Sequence, residues 1–157
     1  CKGENGAISD WSEVYSEKTA YNTQCDFAYM ISPAMFGEFV MPSMEAHCAH
    51  LGHTTYHLDG TGQIAHLDQL LSLKDLNAIQ WFPGSGSPDA DHDEYIKMYD
   101  KIFSAGKQVL LQWSWPETIE KVIAQVGGKG FFHPIHHCEA EKKEEMLKLL
   151  DRLGIER

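Results

Sequence analysis

Arginine is almost missing from this chain: of 157 residues only Arg152 and Arg157 carry a guanidinium, and both fall within the last six positions. Binding a ligand with several carboxylates or phosphates by planar, bidentate forks is therefore excluded over nearly the whole sequence. Lysine does not fill the gap, since the formal net charge is -10 and no basic stripe occurs. A nucleic-acid surface or an anionic-membrane surface is excluded on that ground, and acidic partners are disfavoured. No apolar run reaches the about 20 residues that cross a bilayer, and Cys1-Lys2-Gly3-Glu4-Asn5-Gly6 lacks the apolar centre of a signal peptide. A cytoplasmic compartment is the expectation. Cys1, Cys25, Cys48 and Cys138 show no CxxC spacing, and a chain of this length needs no disulfide staples, so reduced thiols are expected. The opening on Cys rather than Met leads us to expect a piece of something longer.

What is present is enough apolar material for one core, at 43% hydrophobic residues with four Trp. Short runs rich in β-branched and aromatic residues alternate with longer helical patterns, the signature of parallel βαβ units. The expected strands are Cys25–Ile31, Thr54–Leu58, Ala78–Phe82, Val109–Trp113 and Gly130–His133. Ser32 as N-cap with Pro33 at the first position opens a helix towards His50. Ile64, Leu67, Leu70, Leu71 and Leu73 mark a second helical face, and Tyr95 to Phe103 a third. Pro116 starts a fourth that Gly127-Gly128 ends, and Glu139 to Leu153 makes a last amphipathic helix with a solvated face. Residues 1–23 give no pattern and are expected to be irregular, leaving 24–157 as one α/β domain. About five βα units fit either an open parallel sheet or part of an eight-stranded α/β barrel. A whole barrel takes about 250 residues, so the expectation is a partial one, with sheet edges completed by another segment or subunit.

The chemistry-bearing residues cluster at the C-terminal ends of these strands, where barrel enzymes keep their active sites. Tyr56-His57-Leu58-Asp59-Gly60 ends a strand with two side chains at i and i+2, hence on one face. His57 and Asp59 suit a metal-ligand pair, a general acid/base pair, or a hydrogen-bonded turn. Gln80 with Trp81 and Gln112 with Trp113 offer amide donors and aromatic walls for a small organic substrate, or core packing. His133-Pro134-Ile135-His136-His137-Cys138 follows the fifth strand, and His plus Cys is soft-ligand chemistry suited to zinc. His133 reads as packing. Its distance from the first cluster excludes a zinc finger. Gly84-Ser85-Gly86 lacks the Lys and Ser/Thr of a P-loop and reads as a flexible rim. His47, His50, His53, His66 and His92 are expected at the solvated surface.

Three stretches, Ile31 to Phe39, Tyr56 to Gly60 with His66-Leu67-Asp68, and Ile79 to Gly84, resemble the uroporphyrinogen decarboxylase superfamily. Within it the chain is most similar to the branch called trimethylamine corrinoid protein 2 or uroporphyrinogen decarboxylase-like protein. The resemblance covers most of the chain and implies the C-terminal portion of a (β/α)8 barrel of the TIM type, the N-terminal portion lying outside this sequence. Corrinoid methyltransferases of the superfamily, and the similar cobalamin-independent methionine synthases, hold zinc with a His-x-Cys pair and a distant Cys. The resemblance thus implies zinc on His57, Asp59 and Cys138, the last lying 138 − 57 = 81 residues beyond the first. It also implies a partner protein carrying a methylated corrinoid. Asp59 departs from the pattern, since a carboxylate oxygen in place of a thiolate makes the site harder. True uroporphyrinogen decarboxylases use N-terminal arginines and an aspartate that this chain lacks.

Three readings follow: a methyltransferase-like enzyme with zinc, a metal-free carboxy-lyase in which His57 or Asp59 moves a proton, and a non-catalytic partial barrel that binds a small ligand or pairs with another chain. The first makes a sharp prediction. Cys138→Ser should abolish zinc retention, measured by elemental analysis, while leaving the circular dichroism spectrum intact; unchanged metal content would remove the thiolate from the ligand set.

Overall fold

The computed structural model describes residues 8–12, 14–111, 115–128, 130–132 and 143–152. Ile8–Ser9 (β1) and Tyr15–Ser16 (β2) form a short antiparallel pair. Ala20–Gln24 (β3), His53–Asp59 (β4), Ala78–Phe82 (β5), Gln108–Leu110 (β6) and Phe131–Phe132 (β7) then form a sheet in sequential order, every neighbouring pair parallel. The connecting helices are Pro33–Phe39 (α1), Met41–His50 (α2), Leu67–Ser72 (α3), Asp93–Ser104 (α4) and Pro116–Val126 (α5), and Lys143–Arg152 (α6) follows the last strand. The chain is therefore an α/β protein built on a parallel sheet.

Parallel strands require long crossovers, and here the crossover helices all pack on one face. Alternate strand residues Tyr56, Leu58, Ile79, Trp81, Val109 and Leu111 share one buried cluster with residues from α1 to α5, among them Phe36, Met44, Leu70, Tyr99 and Val122. The period-3.6 spacing of Tyr95, Met98, Tyr99 and Ile102 turns one side of α4 into this cluster. The opposite parity, Asn22, Thr55, His57, Ala78, Gln80 and Leu110, makes the other face. That inner face is largely polar, and residues 10–18 cover part of it across a cavity of about 430 Å³ that Asp10, Asn22, His53 and Thr55 help to line.

The helix signals act as expected from the sequence. Ser32 Oγ accepts the Met35 N–H at 3.3 Å, with Pro33 at the first helical position. Pro116 likewise opens α5, and Gly127 at φ 82° ends it. The strands expected at 54–58 and 78–82 appear as His53–Asp59 and Ala78–Phe82.

The first strand lies elsewhere than expected. Cys25–Ile31 is not extended: Asp26–Met30 is a 3-10 turn, and the strand is Ala20–Gln24, inside the segment expected to be irregular. The aromatic run misleads because it stays in water, with Phe27 61% and Met30 78% exposed, while Ala28 alone of the turn is buried. The strand itself buries Asn22 and Thr23, polar residues whose side chains donate to Gln80 on β5 and to the Thr55 carbonyl on β4. His66 is also not a surface residue. Its ring stacks on Phe36 with centroids 4.3 Å apart, and Nε2 donates to the Ala28 carbonyl at 2.8 Å, tying the 3-10 turn to α1. Cys48 is buried and Cys25 partly so, and both thiols are free; burial pushes the Cys48 thiol up from its ordinary pKa.

The end of α3 depends on a cation from the next unit but one. Lys107 Nζ donates to the Leu73 carbonyl at 2.7 Å and to the Lys74 carbonyl at 3.2 Å, so an ammonium meets carbonyls just past the helix C-terminus. Burial lowers the Lys107 pKa from its usual value, yet two charge-assisted bonds keep the group satisfied. Lys107→Met should lower unfolding stability by about 1–3 kcal/mol, because it removes both ammonium bonds and leaves the Leu73 carbonyl only the long 3.4 Å bond from the Leu76 N–H; urea denaturation followed by circular dichroism checks this.

Candidate functional site

His57 and Asp59 occupy the C-terminal half of β4 on the inner face, and both lie beside β5, where His57 pairs with Gln80 and Asp59 with Phe82. Gln80 is fully buried, and its Oε1 accepts two hydrogen bonds, from Asn22 Nδ2 at 2.5 Å and from His57 Nδ1 at 2.6 Å. A carbonyl oxygen only accepts, so His57 carries its proton on Nδ1. The remaining ring nitrogen, Nε2, stands 4.0 Å from Asp59 Oδ2. Exposure separates the two groups: the His57 side chain is 11% exposed and that of Asp59 is 44%. One strand thus supplies an oriented imidazole nitrogen with a solvated carboxylate next to it.

Above this pair the loops after β4 and β5 meet. The Gly60 N–H donates to the Phe82 carbonyl at 2.8 Å, continuing the sheet past Asp59. Gly60 has φ +78°, which glycine adopts without strain. At Gly62 the Tyr29 ring lies so close that a Cβ would sit 2.6 Å from its Cε2. The two glycines therefore let the Tyr29 ring lie flat on the loop. Between these parts is a rim cavity of about 260 Å³, lined by Asp26, Tyr29, Asp59, Gln63, Ser85 and Ser87 among others. Its walls are carboxylates, hydroxyls and one phenol. Gln63 is tied in place: Tyr56 Oη donates to its Oε1 at 3.1 Å, and its Nε2 donates to the Cys25 carbonyl at 3.4 Å. Burial drives the Tyr56 phenol far above its normal pKa, so it serves as a fixed donor and not as an acid.

The structure brings together His57, Asp59 and Gln80 of the residues singled out from sequence. Trp81 does not join them. Strand alternation turns it to the helix side, where it is 1% exposed and packs edge-on against Tyr95 with centroids 4.9 Å apart. It is a core residue, and the expectation of a Trp81 pocket wall is corrected on that geometry. Gln80 holds His57 and does not face an open cavity, so its place is that of a support. Gln112, Trp113 and Cys138, together with His133, His136 and His137, lie outside the described residues. Among the described residues no group of three His, Cys, Asp or Glu side chains is close enough to hold a metal ion.

Sequence reasoning missed Asn22, Asp10 and Trp11. Asp10 Oδ1 accepts the Ser12 N–H at 2.8 Å and the Ser12 hydroxyl at 2.5 Å, and its Oδ2 accepts the Asn22 N–H. Trp11 meets the His57 ring at 88° with centroids 5.0 Å apart. The only local signal was Asp-x-Ser, the pattern of an Asx turn; nothing in the sequence joined that turn to His57.

No protein family, no curated protein and no solved structure matches this chain.

Gln80→Leu removes the acceptor that two buried donors share. It should cost about 1–3 kcal/mol for each donor left unsatisfied, seen as a lower urea midpoint, whereas loss below 0.5 kcal/mol would mean that water replaces the amide.

Proposed function

We propose that the chain is part of a TIM-type (β/α)8 barrel enzyme of the uroporphyrinogen decarboxylase-like kind, acting in methyl transfer, with His57 and Asp59 at its active-site rim. The observation that carries this reading is the His57 ring: its Nδ1 is engaged by Gln80 and its Nε2 faces Asp59 at the C-terminal end of a parallel strand. That end is where barrel enzymes place their chemistry. Sequential strand order with helices on one face supports a barrel over a doubly wound sheet, whose order reverses at a switch point. The edge strand β3 supports it too. Beside β3 and α2 runs a groove of about 730 Å³, lined in part by Tyr21, Cys25, Phe39, Val40 and Met44, suited to a preceding βα unit from an N-terminal barrel portion or a second subunit.

Zinc fits the two donors in hand. A His ligand whose other nitrogen is held by a hydrogen bond has its tautomer fixed. Tetrahedral zinc sets an imidazole nitrogen and a carboxylate oxygen about 3.4 Å apart, so Asp59 Oδ2, on a side chain 44% exposed, would close in from its 4.0 Å separation to complete that pair. Cys138 is the proposed third ligand. When bound, zinc lowers the pKa of a thiol and so supplies a thiolate that accepts a methyl group. The chain's own residues do the rest: Gln80 and Asn22 orient His57, Asp59 holds negative charge at the rim, and the Gly60–Gly62 loop with Tyr29 shapes the cavity for a small-molecule substrate. Gln112 and Trp113 are proposed as substrate contacts. The methyl donor would be a corrinoid on a partner protein. The net charge of -10 disfavours nucleic acid, and no helix among the described residues is long and apolar enough to cross a membrane.

The same 4.0 Å pair also favours a second reading, a metal-free carboxy-lyase in which His57 Nε2, beside Asp59, takes a proton from solvent and delivers it to the substrate carbon as its bond to the departing CO2 breaks. Metal analysis of the chain purified without a metal-affinity tag separates the two. Near-stoichiometric zinc that His57→Ala loses is the expected result. A metal-free wild type would overturn the zinc site and leave the acid/base pair or a non-catalytic, ligand-binding partial barrel. Zinc retained by the mutant would put the metal elsewhere.

A further inference from the structure

His57 is fixed by one hydrogen bond, and one bond does not fix a ring. An imidazole bonded through Nδ1 still swings about that bond, because χ2 of histidine is broad, and its Nε2 then sweeps an arc instead of pointing at one place. The structure supplies a second restraint from a part of the chain far from β4. Trp11 lies edge-to-face against His57, centroids 5.0 Å apart and planes at 88°, within the range in which aromatic pairs attract.

Trp11 is itself held. It stands between Asp10 and Ser12, whose Asx turn closes through the Asp10 carboxylate. The same carboxylate accepts the Asn22 N–H, and the Asn22 side chain donates to Gln80 Oε1, the atom that also accepts from His57. The turn therefore reaches His57 twice, through the Trp11 ring and through the chain Asp10, Asn22, Gln80. A second anchor fastens the segment farther on, where Ser16 Oγ and His53 Nδ1 are 2.9 Å apart at the other end of β4. Ser12 is itself buried, at 2% exposure.

We propose that Trp11 is a positioning residue for His57: it locks the plane of the imidazole so that Nε2 stays directed at the site shared with Asp59. The assignment rests on the proposed reading of His57 as the functional side chain, and it adds a residue that the sequence motifs do not contain. It gives the N-terminal turn a role in the site in place of simply covering the inner face. Phenylalanine keeps an aromatic partner for the ring, and alanine removes it.

The test is ring motion at His57, read by 13C relaxation in the histidine-labelled 157-residue chain, together with zinc affinity measured by competition with a chelating dye. In wild type and Trp11→Phe the His57 ring should be ordered, with an order parameter near about 0.85; in Trp11→Ala it should drop below about 0.6. Zinc affinity should fall about tenfold in Trp11→Ala, the usual cost of losing a support behind a ligand, and recover in Trp11→Phe. The amide spectrum of β4 and β5 outside His57 shows whether the sheet is kept; if Trp11→Ala disturbs it, Trp11→Leu, which fills the space without an aromatic face, replaces it. An ordered ring in a well-folded Trp11→Ala overturns the proposal, even when His57→Ala abolishes zinc binding. A mobile ring in Trp11→Ala with no zinc bound to any variant upholds the positioning role and overturns the zinc reading instead.

Discussion

Neighbouring residues of a strand point to opposite faces, and in a sheet whose helices all pack on one side this parity divides the protein into a dry half and a polar half. Every even-numbered residue of β4 from Thr54 to Leu58 turns towards the helices, and His57 and Asp59 turn away. The dry half needs little specification beyond size and apolarity. The polar half is more demanding, because a buried amide or imidazole without a partner costs more than a made hydrogen bond returns. Gln80, fully buried on the polar side, meets that demand by joining β3, β4 and β5 through one oxygen. The tautomer of His57 follows from satisfying that amide: Gln80 Oε1 accepts the Nδ1 N–H, which leaves Nε2 as the ring nitrogen nearest Asp59.

The contrast between His57 and Asp59 then has a simple origin. His57 sits within the sheet and is nearly enclosed, whereas Asp59 is the last residue of the strand and stands where the loops open. A carboxylate in that position stays hydrated and keeps rotamer freedom, so it can approach whatever Nε2 addresses. This division serves a metal and a proton transfer alike. In both cases a fixed nitrogen defines a direction and a mobile oxygen closes on the occupant. A third donor would separate the two, and the sequence offers Cys138 with the imidazoles beside it for that place.

What could be read from the sequence tracks the same parity. Thr54–Leu58 and Ala78–Phe82 were legible because their dry-side residues are large and their ends carry Gly and Pro, which punctuate. Ser32-Pro33 and Pro116 were legible because a helix start has its own chemistry. The first strand was not, because Ala20–Gln24 has a polar inner face and a two-residue alternation too short to stand out beside the aromatic run of 27–31, which a 3-10 turn leaves in water. Gln80-Trp81 offered pocket walls or core packing from the sequence, and strand parity separates the two residues: Gln80 joins the polar network and Trp81 the core. His57 with Asp59 was readable as i and i+2. The contribution of Asp10, Trp11 and Asn22 was not, since Trp11 reaches His57 and Asn22 reaches Gln80 through contacts that span more than 30 residues, and Asp10 acts through Asn22.

The edge strand β3 bears on the site as much as the site's own residues do. Strand β3 pairs on one side with β4 and on the other borders an apolar groove. An open edge invites pairing, and proteins usually cover it, charge it or complete it. Here the Asn22 N–H is met by the Asp10 carboxylate, a side chain doing what a strand carbonyl does elsewhere in the sheet. That substitution places a charge at the edge, which discourages indiscriminate pairing, and it couples the edge to the site, because the same Asn22 carries Gln80 and through it His57. Any element that adds to β3 must therefore accommodate Asp10 or displace it, and displacement would loosen the turn that carries Trp11. In this architecture completing the sheet and orienting the imidazole are not independent events; the strand that would close the edge acts on the same three residues that aim His57.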